Sequence, residues 1–189
     1  GRAMPANSTN DIQQRASRWI GILYLPSFVV VLATNMGVLQ SLIVPGDPGG
    51  TARNILAHEG LFRLALIGNA AYVIAVFVIA VAYHALLKPY NAMQAQWVLL
   101  GRTLFGAVWT LTLVNQFSAL RLTTRPEYAS IMGSEEWALW VRFYLSGYDQ
   151  YYVGLLFWSL AATASARLLI RSGLIPKSLA RFGVAASVW

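Results

Sequence analysis

WIGILYLPSFVVVLATNMGVLQSLIV, Trp19–Val44, runs without one charged residue. At 1.5 Å of rise per residue, a helix of this length crosses a hydrocarbon core of roughly 30 Å even when tilted. Pro26 lies inside it, a residue that membrane helices tolerate with a kink. Asn35 and Gln40 are its polar points.

Working outward, Pro45-Gly46-Asp47-Pro48-Gly49-Gly50 is a cluster of turn formers. Thr51–Gly60 suits a short helix at the membrane surface and leads through Leu61-Phe62-Arg63 into a second span, Leu64–Leu87. Lys88-Pro89-Tyr90-Asn91 is a short turn, which implies an antiparallel neighbour. A third span, Trp97–Leu120, carries one charge, Arg102. From Arg121 to Gly147 charges alternate with Trp137, Trp140, Phe143 and Tyr144, the pattern of a loop followed by an amphipathic helix in the interface. The fourth span is Tyr148–Ile170, after which Gly173 and Pro176 break the chain. Ser178–Trp189 is apolar but too short to cross, and is expected to be a fifth span cut short. Gly1-Arg2-Ala3 ahead of Met4 reads as a tag remnant, so residues 1–14 are remnant and tail and residues 15–189 the transmembrane domain. The expected fold is all-α: a polytopic bundle with four full spans, a truncated fifth and one or two interfacial helices.

Composition agrees. The chain is 57% hydrophobic and 11% charged, whereas a soluble domain carries about 25% charged residues. The net charge of +7 would suggest nucleic acid in a soluble protein. Here the basic residues flank apolar runs, so the partners expected are lipid headgroups and no nucleic acid. There is no cysteine, which excludes disulfides, thiolate metal sites and a cysteine nucleophile. With the N-terminus inside, Arg2, Arg15, Arg18, Lys88, Arg167, Arg171, Lys177 and Arg181 share the cytoplasmic segments with Asp11 as the one acid. The outer segments hold Arg53, Arg63, Arg121, Arg125 and Arg142 against Asp47, Glu59, Glu127, Glu135, Glu136 and Asp149. The basic bias places the N-terminus in the cytoplasm.

Polar groups inside a membrane protein are costly and tend to mark the bundle interior or a site. On this topology they gather at the outer ends of the spans: Asn54, His58, Glu59 and Arg63; Asn115, Gln116 and Arg121; Tyr148, Asp149, Gln150, Tyr151 and Tyr152. That constellation is a candidate polar cavity opening outward. Glu59 and Arg63 stand at i, i+4 with the acid first, the favourable order for an ion pair. The pair is either a structural bridge or a carboxylate poised as base or ligand. Asp149 is either the N-cap of the fourth span or a second carboxylate facing Glu59, and two carboxylates in one pocket can hold different protonation states. Asn54 and His58 share the same i, i+4 spacing. A metal at His58, Glu59 and Asp149 is disfavoured because adjacent helical side chains diverge by about 100°. Tyr148, Tyr151 and Tyr152 suit an interfacial aromatic belt, and His84 a satisfied helix end. Arg102 snorkels, binds a lipid phosphate or pairs across the bundle. No nucleophile elbow, phosphate loop or dinucleotide fingerprint occurs, and no cofactor is expected.

The order of several short motifs resembles a known family. Pro45-Gly46-Asp47, Thr51-Ala52-Arg53-Asn54-Ile55, Glu59-Gly60-Leu61-Phe62-Arg63, Ala85-Leu86-Leu87-Lys88-Pro89 with Asn91, Arg102, Gly147-Tyr148-Asp149 and Arg171-Ser172-Gly173-Leu174-Ile175-Pro176 resemble the uncharacterised bacterial membrane proteins grouped as domain of unknown function 4386. The resemblance runs from about Arg15 onward. It implies a helical membrane bundle, with further spans beyond Trp189, and no activity.

Two functions stay open on the sequence. One is an enzyme in which Glu59 and Asp149 do acid–base work and Arg63 orients a lipidic or isoprenoid-like substrate. There Asn54, His58, Asn115, Gln116, Arg102, Tyr148 and Tyr152 would line the substrate site. The other is a non-catalytic subunit, in an oligomer or complex, or a lipid-binding protein. A transporter ranks below both, since no internal repeat is evident.

Overall fold

The computed structural model describes residues 6–173, with side chains from residue 11 onward. The expected remnant at the start and the expected fifth span lie outside the described residues. Among those described the structure is all-α, as the sequence predicts. Helix α1 is Ala6–Leu32. It runs on through a π-helical segment, Ala33–Leu39, and a last turn, Gln40–Leu42. Helices α2 (Pro48–Ala57), α3 (Glu59–Leu87), α4 (Ala92–Thr124), α5 (Pro126–Met132), α6 (Ser134–Ser146) and α7 (Tyr151–Ser172) follow, with α6 entering α7 through a 3-10 turn at Gly147–Gln150. Four stretches are long and apolar enough to cross a membrane: Asp11–Leu42, Glu59–Leu87, Ala92–Thr124 and Ser134–Ser172.

The helices outrun the apolar runs at their ends, for local reasons. Helix α2 starts ahead of Thr51 because the Asp47 carboxylate accepts the Gly50 N–H at 2.7 Å and Pro48 occupies the first turn, where its missing N–H costs nothing. It stops at His58, whose backbone leaves the helical region (φ −121°, ψ 38°). Helix α4 continues beyond Leu120 to Thr124. There Thr123 and Thr124 donate back to the Leu120 carbonyl at 2.9 Å each. The expected loop after Arg121 is therefore mostly helix: Pro126 opens α5, and Gly133 (φ 81°) separates α5 from α6.

The helices contribute to two compact units. Among the described residues, the first comprises residues 6–26, Ile74–Ala107 and residues 152–173; the second comprises Ser27–Val73 and Val108–Tyr151. In the second, Ile55, Phe62, Ala65, Leu66, Ala119 and Val141 form a buried core to which α2, α3, α4 and α6 all contribute. In the first, Leu87, Ala95, Val98 and Leu168 pack together, and Ala16 packs with Ala82 and Leu86. Gly101 lets α4 and α7 approach closely there: a Cβ on it would stand 2.8 Å from the Phe157 carbonyl oxygen and 2.9 Å from Ala161 Cβ. Meanwhile large apolar side chains face outward along each span, among them Leu25 (69% exposed), Ile67 (65%), Leu111 (57%) and Leu160 (69%). A surface of that kind is stable against lipid rather than water.

Candidate functional site

The second unit holds a buried chain of amides. Asn35 donates to the Val31 carbonyl at 2.8 Å and to Asn69 Oδ1 at 2.9 Å. Asn69 Nδ2 donates to Asn35 Oδ1 at 3.3 Å and to Gln116 Oε1 at 2.9 Å. All three residues are buried, Asn69 almost completely. The π segment belongs to this arrangement. Asn35's side chain takes the Val31 carbonyl one turn back, an interaction that competes with the helical ladder. The Gln40 N–H reaches the Asn35 carbonyl five residues earlier. Close approach is helped by Gly68, where a Cβ would collide with the Thr34 hydroxyl. Measured interhelical hydrogen bonds in membranes average about 0.6 kcal/mol. The chain matters more for what it avoids: each amide orphaned in an apolar interior costs roughly 1–3 kcal/mol.

An aromatic cluster lies in the same unit. Trp109, buried, has Tyr72, Tyr148 and Tyr151 around it at ring separations of 5.1, 6.0 and 5.6 Å, all edge-on. The belt expected of the tyrosines thus divides: Tyr148 and Tyr151 are half-buried against Trp109, while Tyr152 is 59% exposed.

The other residues singled out in the sequence fall into separate small groups. Arg63 Nε donates to Glu59 Oε1 at 2.6 Å at the start of α3, with the arginine side chain 57% exposed. His58 is exposed and its Nδ1 stands 3.0 Å from the Asn54 carbonyl. Asn115 donates to Gln150 at 3.3 Å and packs against Gly147. Arg121 is exposed, and Gln116 is part of the amide chain. Asp149 is exposed in the 3-10 turn. Among the described residues no hydrogen bond or ion pair joins Glu59 to Asp149, and no three His, Asp or Glu side chains gather as a metal site. Asn69 was missed in the sequence, although one amide in the middle of an apolar span is itself the signal.

The first unit is different in character. Its described basic residues are Arg15, Arg18, Lys88, Arg102, Arg167 and Arg171, and Asp11 is its acid. Arg102 is 6% exposed, its guanidinium carbon 4.1 Å above the centre of the Tyr83 ring. Its Nε is buried with no hydrogen-bond partner, and no carboxylate pairs with it among the described residues. His84 Nδ1, read from sequence as satisfied, and Gln94 Oε1 are likewise buried without partners. A cation over an aromatic face gains about 2 kcal/mol when desolvated. Removing a charge from water costs several kcal/mol. The ring therefore offsets only part of the cost.

The same unit carries a groove of about 470 Å³ lined by Ile12, Arg15, Ala16, Trp19, Phe77, Val78, Val81, Ala82 and Ala85. Its α3 wall follows the i, i+3, i+4 stripe Val78, Val81, Ala82, Ala85. Arg15 is the one charged side chain on it.

Four apolar crossings, buried amides and an outward-facing apolar surface define a multipass α-helical membrane protein. Within that class, the chain matches the family described as Domain of unknown function (DUF4386) over residues 19–189 and belongs to it. No curated protein and no solved structure matches the chain.

Proposed function

We propose that the protein is a non-catalytic, lipid-binding multipass protein of the bacterial cytoplasmic membrane, with its N-terminus inside. The observation that carries this reading is the groove in the first unit: apolar over its length, with Arg15 as the one charged residue lining it. An acyl chain satisfies such a lining, and a phosphate-bearing headgroup satisfies Arg15. The excess of basic over acidic residues in the same unit favours anionic lipid and is the charge pattern of a cytoplasmic-side region. The test is lipid retention. Protein extracted in mild neutral detergent is expected to retain acidic phospholipid, read by mass spectrometry. Val81→Trp, which fills the groove from an exposed position, is expected to lower that retention several-fold. Unchanged retention in this variant sinks the groove.

The catalytic reading of Glu59, Arg63 and Asp149 in an outward-facing cavity has one observation in its favour. Among the described residues no ion pair engages the exposed Asp149 carboxylate, and the rings of Tyr148 and Tyr151, 5.0 Å apart, flank it in the chain. Conversion of an isoprenoid or lipid that is lost in both Glu59→Gln and Asp149→Asn, with folding intact, would move the assignment to an enzyme.

A further inference from the structure

We infer that Arg102, stacked on Tyr83, is the cationic centre of a second site, one that takes a phosphate-type anion. The inference deepens the lipid-binding reading but uses none of the groove's residues.

The argument begins from charge. Arginine keeps its proton in any protein environment. At 6% exposure Arg102 has given up nearly all its water, and an unpaired buried cation is among the most destabilising features a fold can carry. The acidic side chain of its own unit does not compensate it: Asp11 is exposed and makes no ion pair among the described residues. The ring of Tyr83 contributes a face, which orients the planar group but brings no negative charge. Nε is fully covered and without a partner, and among the described residues no ion pair engages the terminal nitrogens. What is left is a guanidinium held flat on an aromatic platform with its outer donors unused. That geometry suits the two parallel hydrogen bonds an arginine makes to phosphate.

Depth points to the same ligand. Arg102 lies five residues past Trp97 on α4, about 7–8 Å along the axis. Trp97 is 62% exposed, as expected of a ring at the headgroup level. Helical side chains lean toward the helix N-terminus, which directs the arginine back toward that level, and its apolar stem lies along the helix as it does so. A phosphate at the membrane surface is therefore within the reach of a side chain whose Cα lies deeper. Arg18, Lys88, Arg167 and Arg171 in the same unit raise the local concentration of anionic headgroups.

The experiment measures the thermal midpoint of the purified full chain in neutral detergent. The probes are dioleoyl phosphatidylglycerol, dioleoylglycerol (the same tails without phosphate) and inorganic phosphate. Wild type is expected to rise by several degrees with phosphatidylglycerol and not with dioleoylglycerol. Arg102→Gln is expected to be at least as stable as wild type in detergent alone, because an unpaired cation is gone, and to lose most of the phosphatidylglycerol shift. If Arg102→Gln does not fold, Arg102→Lys serves: it keeps the charge, loses the planar fork, and should show less than half the shift. A response to inorganic phosphate matching that to phosphatidylglycerol assigns the site to a free anion, and a response to phosphatidylglycerol alone assigns it to a headgroup. A wild-type shift in Arg102→Gln, or in Arg102→Lys if that is the variant that folds, overturns the site. Val81→Trp should keep the Arg102-dependent shift, so the groove and this site fail separately.

Discussion

The second unit pairs its buried amides and several of its charges internally, while the first leaves several buried polar atoms of its own without partners among the described residues. Asn35, Asn69 and Gln116 bind one another, and the Asp47–Arg53, Glu59–Arg63 and Arg125–Glu127 ion pairs all belong to the second unit. One buried atom there without a partner is the Thr112 hydroxyl, which is neutral. In the first unit the corresponding atom is on a guanidinium, with His84 Nδ1 and Gln94 Oε1 besides. An apolar surround penalises an orphaned hydroxyl by a few kcal/mol at most, and an orphaned charge by considerably more. The difference teaches where an outside molecule would be energetically useful. Closed networks hold helices together; open cations call for a counter-charge.

The sharpest way to break the comparison is to open the closed network. Asn69→Leu leaves the amides of Asn35 and Gln116 facing an apolar interior. It is expected to destabilise by about 2–4 kcal/mol, measured by thermal or denaturant unfolding in detergent. Replacing Asn35 and Gln116 by Leu in the same chain should recover part of that loss, since removing both partners of a buried bond costs less than removing one. If Asn69→Leu alone is neutral, the amides are not a closed network.

In the first unit a steric change should tell more than a polar one. Gly101→Ala sets a methyl group against the Phe157 carbonyl and should cost about 1–3 kcal/mol by overpacking. A cost near zero in the same unfolding assay would mean that α4 and α7 are free to separate there. The smallest effects belong to exposed charge. Glu59→Gln should lose no more than about 1 kcal/mol, and less in high salt. Asp149→Asn, with no partner to lose, should stay within about 0.5 kcal/mol. A larger loss at Asp149 would mean that the carboxylate has a partner outside the described residues.

Much of the fold was legible because hydrocarbon imposes a simple rule. Uncharged runs such as Trp19–Val44 have few alternatives to a spanning helix, and the four crossings fall where the runs do. The ends were harder to read. Hydropathy marks the part of a helix that meets lipid, whereas α2 begins where it does because of Asp47 and Pro48, and α4 continues through back-bonded threonines. The site was less legible still. Gln116 was picked out as polar near a span end, but its partner Asn69 lies 47 residues away, and Asn69's other partner, Asn35, a further 34. The spacing of Glu59 and Arg63 predicted their pairing because both lie on one helix. No spacing rule predicts that Tyr83 lies beneath Arg102, since that contact is made between two helices.

The π segment at Ala33–Leu39 also acts on the phase of its helix. Holding one residue more than an α-helix would in the same rise, it shifts the azimuth of the turn before it by about 100° relative to the turn after it. Asn35 and Leu39 inside the segment and Leu42 just past it are thereby turned into the second unit's interior on one continuous rod. Deleting Met36, an exposed residue inside the segment, would re-time that rod. Either the amide chain or the Leu39–Leu42 face would then turn away from the second unit's core, so a single-residue deletion here should do more harm than many substitutions.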